Sequence, residues 1–175
     1  CVTRRQRQMC IRDRLTTAYT IQLLNIWSIP DFVKWKMENK WKLLNQWPQG
    51  GGMIDNHLAY WPPQLNCKAL PLDFKKKVTE KYEAFYPWLE ENWALSGAPT
   101  KEEFMENNYT IDRLKGIASF MNAEDWSVRL PETAEWCYRV AEERGQNFDE
   151  IFPELSWLQD YHTPHEDFPL VINTA

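Results

Sequence analysis

The chain has 175 residues, 20 Lys and Arg against 25 Asp and Glu, and a net charge of −5. Without the arginine-rich first fourteen residues it keeps 15 basic and 24 acidic side chains, which excludes a general attraction to nucleic-acid backbones or anionic membranes. No apolar run approaches the ~20 residues of a membrane span, so the composition predicts one soluble, cytoplasmic domain.

Taken in chain order, the first stretch is the least protein-like. Arg4 to Asp13 (RRQRQMCIRD) matches, in a single reading frame, a transposase adapter of the kind ligated to DNA for sequencing. Residues 1–14 are therefore expected to be adapter-derived, unstructured and packed against nothing, with the protein proper starting at about Leu15 and its upstream part missing. A basic arm touching phosphates is the competing reading.

Leu15–Ile26 is β-branched and apolar, and predicts a buried strand over 17–26. Pro30 suits the first turn of a helix, with Asp31 near its positive end. That helix is expected to run to about Trp47 on a face of Val33, Met37, Trp41 and Leu44, stopped by Pro48 and Gly50-Gly51-Gly52. Met53–Leu58 predicts a second strand, parallel to the first across the helix.

Beyond Trp61-Pro62-Pro63 the pattern turns helical. Pro71 opens a helix with Phe74, Val78, Tyr82, Phe85 and Leu89 on one stripe, and Pro87 predicts a kink or break within it. Ser96–Pro99 is a turn, Thr100 with Glu103 a capping box, and Asn107–Thr110 an interruption. Ile111, Leu114, Ile117 or Ala118, and Met121 form the next apolar face. Pro131 starts another helix, with Ala134, Cys137, Val140 and Ala141 inward and Gly145 as its stop. A helical turn is expected at Asn147–Phe152, and a loose polar tail beyond Trp157.

Few residues carry chemistry. The glycine triplet lacks the Lys-Ser/Thr of a phosphate loop and follows a helix, so it reads as a terminator. His162-x-x-His165, near Asp160, Glu166 and Asp167, has ligand types for a divalent metal, but in a proline-rich tail it reads as solvated, and no metal site is predicted. His57, in Asp55-Asn56-His57, is a candidate base or ligand, but a lone histidine is more often just hydrogen-bonded. With Cys1 and Cys10 in the suspect head, Cys67 and Cys137 read as buried, inert thiols. The tryptophans fall near apolar stripes and are expected to pack in the core.

Three ordered blocks carry a family resemblance. They are Thr20–Ile26 with Ile29-Pro30-Asp31-Phe32 and Trp35; Asn56-His57-Leu58 with Pro63, Leu65, Leu70-Pro71 and Phe74–Val78; and Leu130-Pro131-Glu132 with Arg144–Phe148 and Phe152-Pro153-Glu154-Leu155. From about Leu15 to Leu158 the chain resembles the C-terminal part of radical SAM proteins of the "twitch domain-containing" type. The resemblance implies an α/β, mostly helical fold: residues 15–61 as the terminal strand–helix–strand of a partial (β/α) barrel, 62–160 as a helical extension and 161–175 as a loose tail. It also implies a parent enzyme in which a [4Fe–4S] cluster and S-adenosylmethionine drive radical chemistry on an unknown substrate, a peptide or small molecule. The Cys-x3-Cys-x2-Cys triplet that holds such a cluster is not in this sequence, so the fragment is expected to be inactive and to carry no cofactor. Asn25 and Asn56, at the expected C-terminal strand ends, are candidates for binding cofactor or substrate; equally, they simply end strands in turns. A non-enzymatic helical interaction module is the alternative.

Overall fold

The computed structural model describes residues 18–39, 55–107 and 110–163, and the chain divides into two compact units, one ending at Ser127 and the other starting at Val128. Residues 1–17, the Gly50–Gly52 triplet and the segment carrying Trp41, Leu44 and Met53 lie outside the described residues, as do His165 and all beyond it.

In the first unit, strand β1 (Ala18–Ile21) pairs in parallel with β2 (Asp55–Leu58), Tyr19 opposite Asn56 and Ile21 opposite Leu58. Helix α1 (Ile29–Glu38) lies between them in sequence, with Pro30 in its first turn, where a missing N–H does no harm. It buries Ile29, Val33 and Met37. The parallel strand–helix–strand order is as predicted, but β1 is much shorter than 17–26. At Gln22 the backbone turns: Gln22 O accepts from both Asn25 N (3.2 Å) and Ile26 N (3.1 Å). A 3-10 turn at Ile26–Ser28 follows, so the apolar run reaches the core by folding back rather than by extending the strand.

Helix α2 (Leu72–Glu91) buries Phe74, Val78, Tyr82, Phe85 and Leu89, the predicted stripe. Burying each such side chain is worth about 1.5–3 kcal/mol. Pro87 does not break this helix. It lies on the exposed face, as does Glu83 four residues earlier, whose carbonyl is the one that loses its helical partner. Gly97, at φ 81°, ends the 3-10 turn Trp93–Ser96. Thr100 Oγ1 then accepts from Glu103 N (3.1 Å) at the start of α3 (Lys101–Asn107). Helix α4 (Thr110–Asn122) packs on α2 through Leu114, Ile117, Ala118 and Met121.

In the second unit, α5 (Leu130–Glu143) buries Leu130, Ala134, Cys137 and Ala141, while Val140, expected inward, is only half-buried. Gly145 (φ 62°) closes the helix, with Gln146 N donating to Ala141 O (2.8 Å) and Gly145 N to Glu142 O (2.9 Å). Asn147 Oδ1 caps the short helix α6 (Phe148–Ile151). Residues 158–161, in the polar stretch expected to be loose, are helical instead. The 3-10 helix Pro153–Tyr161 buries Leu155 and Leu158, and His162 stacks on Tyr138 at 4.7 Å.

The tryptophans correct a second expectation. Of the eight described (27, 35, 61, 88, 93, 126, 136 and 157), none is buried. The indoles roof the helices while aliphatic side chains, Phe and Tyr fill the interior. Lysines lie over several: Lys81 is 4.3 Å from the Trp27 ring, Lys34 5.3 Å from Trp88 and Lys68 5.3 Å from Trp126.

Candidate functional site

A parallel sheet gathers its outgoing loops at the C-terminal ends of its strands, where such folds place ligands. Here those loops are 22–28 and 59–70. The second crosses the strand ends: Ala59 N donates to Ile21 O (2.8 Å), and Leu23 N then donates to Leu65 O (2.7 Å). The two candidate asparagines are placed differently. Asn56 lies inside β2, opposite Tyr19, not at its C-terminal end. Asn25 lies four residues past β1 and uses both ends of its amide on the backbone: Nδ2 donates to Thr20 O (2.8 Å) and Oδ1 accepts from Gln22 N (3.0 Å). His57 pairs in register with Thr20, and its side chain is exposed.

The second loop leads into a cluster that the sequence did not announce. Asn66 Oδ1 accepts from Lys68 N (2.9 Å), fixing a 3-10 turn at Cys67–Ala69. The Lys68 side chain is almost fully covered: Nζ donates to Glu124 Oε1 (2.5 Å) and lies 4.6 Å from the Phe120 ring. Trp126 Nε1 donates to Glu124 Oε2 (2.8 Å), while Trp126 N donates to Lys68 O (3.0 Å). Lys75 Nζ donates to Glu124 O (2.8 Å), and Tyr60 meets Phe120 edge-on at 5.2 Å. The hydrogen bonds from Lys68 and Trp126 hold the Glu124 carboxyl below its ordinary range. Burial, partly offset by Asp125, lowers the Lys75 ammonium. The partners lie about fifty residues apart, and no periodicity in the sequence links them. Every charge here has a partner, so the cluster is suited to clamping the end of α4 onto the 66–75 segment rather than to moving a proton.

Other reactive groups are shielded. Burial pushes the Cys67 thiol up to about 11 and the Cys137 thiol up to about 12, which leaves neither as a thiolate near neutrality. Lys36 is 1% exposed and burial lowers its ammonium to about 8. A groove of about 210 Å³ between α2, α3 and α4 has Phe104, Met105 and Ile111 as its apolar lining and Glu90, Asp112 and Lys115 as its charged lining. It is smaller than the few hundred Å³ typical of small-molecule sites.

A [4Fe–4S] cluster needs three converging thiolates. Cys67 and Cys137 are buried free thiols with raised pKa values in separate units, so they do not fit one. Among the described residues no group of three His, Cys, Asp or Glu side chains is placed to hold a metal ion, and none of their helices is long and apolar enough to cross a membrane. Compared with protein-family models, with curated proteins and with solved structures, the chain finds no match.

Proposed function

We propose that this chain is the closing segment of a cytoplasmic radical SAM enzyme, with residues 15–61 contributing the last strand–helix–strand of a partial barrel and 62–160 a helical extension. The observation that supports this reading is the parallel pairing of β1 with β2 across α1, the repeating unit of such barrels. The ordered sequence blocks supply the family. Cluster and S-adenosylmethionine belong to the upstream part of the parent, because the thiols here do not fit that role. The substrate, a peptide or small molecule, meets residues upstream as well.

Recovering the coding DNA upstream of Leu15 tests the reading directly, and a Cys-x3-Cys-x2-Cys triplet in frame is the expected result. Anaerobic reconstitution with iron and sulfide should give cluster absorbance and reductive cleavage of S-adenosylmethionine in that parent and neither in this chain. A parent without the triplet sinks the proposal.

A second reading, a non-enzymatic interaction module, draws support from one observation. Tyr60 and Trp61 are 64% and 82% exposed directly after β2. It becomes the better account if the triplet is missing.

A further inference from the structure

The way Asn25 meets β1 has a meaning beyond turn formation. Because Ala59 N donates to Ile21 O, and Ile21 stands opposite Leu58, the peptide groups of Ile21 face β2. Strand geometry alternates, so those of Thr20 and Gln22 face the opposite way, along the outer edge of β1. In a parallel ladder, a residue opposite Ile21 on that outer side would donate to the carbonyl of residue 20 and accept from the amide of residue 22. The Asn25 side chain does both, at 2.8 Å and 3.0 Å.

We infer that Asn25 acts as an edge lock, its amide occupying the place of one residue of an adjacent parallel strand and closing the outer edge of β1 at Thr20 and Gln22. Unpaired strand edges recruit other strands, and proteins blunt them in several ways. Here one side chain supplies the missing donor and acceptor together. A serine hydroxyl, with a single donor on a shorter side chain, lacks the paired donor and acceptor of the amide, and an alanine offers neither. The lock works alike in the end of a barrel and in a free-standing module. In a barrel it also sets a limit, since any strand preceding β1 must stop pairing before the Thr20 carbonyl.

Amide hydrogen exchange on this chain, read residue by residue by NMR, tests the lock. Asn25→Ala should cost the Gln22 amide at least tenfold in protection, while Leu23, bonded to Leu65 O, keeps its own. The same variant should self-associate at lower concentration than the parent chain, because an edge has opened. Asn25→Asp keeps the acceptor and loses the donor, so Gln22 should stay protected in it. This variant keeps the test alive if the alanine variant fails to fold. Unchanged Gln22 protection in Asn25→Ala, or its loss in Asn25→Asp, overturns the lock. Lost protection with unchanged self-association would reduce Asn25 to a turn residue and overturns it as well.

Discussion

Tyr82 and Pro30 are coupled through one carbonyl. Tyr82 is 0% exposed, and its hydroxyl donates to Ile26 O at 2.6 Å. In a helical run, Ile26 O would accept from the amide four residues on, but that residue is Pro30, which has no N–H. The phenol from α2 stands in for the missing donor. Tyr82→Phe should therefore destabilise the first unit by about 1–2 kcal/mol, the cost of leaving a buried acceptor short of a partner. The unfolding constant would rise roughly 5–30-fold. Pro30→Ala returns an amide to the right place, so the Tyr82→Phe change should cost less in that background, with a coupling of about 1 kcal/mol. Urea titrations followed by far-ultraviolet circular dichroism on the four proteins of the cycle give that coupling. There is also a signature in pH. Burial raises the folded-state pKa of Tyr82 well above its unfolded value, so its contribution is complete below about pH 10 and is lost as pH climbs toward the folded value. The parent chain should lose stability on that alkaline arm more steeply than Tyr82→Phe. Additive free energies in the cycle, together with matching alkaline arms, would refute the substitution of phenol for amide.

The two thiols give a simpler check. With folded pKa values pushed up to about 11 for Cys67 and about 12 for Cys137, both should resist a thiol reagent in native protein at pH 8 and react promptly in denaturant; fast labelling of either in the native state would contradict their burial. Their stabilising effect is present below the unfolded thiol value near 8.5 and declines above it. At the end of α5, Gly145 holds φ 62° with open space where a Cβ would stand, so Gly145→Ala should cost about 1 kcal/mol through backbone strain alone. Asn at that position should cost less, and equal melting temperatures for the two variants would refute strain as the cause.

Periodicity carried much of the fold into view. The α2 stripe from Phe74 to Leu89 is buried residue for residue, and the Gly145 stop takes its expected left-handed form, because both depend on local geometry. The length of β1 did not show in the sequence. Thr20–Ile26 has strand composition throughout, and what ends the strand is one amide folding back on its own chain. The buried lysines escaped for a related reason. Lys68 and Lys75 are covered by Glu124, Phe120 and Trp126, which only the tertiary fold brings near. The sequence places Asn25 and Asn56 at strand ends, whereas the turn at Gln22 sends one past its strand and pairing leaves the other inside its own.

The peripheral indoles have an optical consequence. Tryptophans that touch solvent are open to aqueous quenchers in the native fold, so unfolding should change their emission less than it would that of fully buried indoles. Among the described residues all eight tryptophans keep contact with solvent, so their fluorescence reports on the surface of each unit more than on its interior. The same property makes it a sensitive detector of anything that settles on that surface. A shift to the blue on adding a second macromolecule would register contact at the aromatic roof, while an unchanged spectrum would place the contact elsewhere.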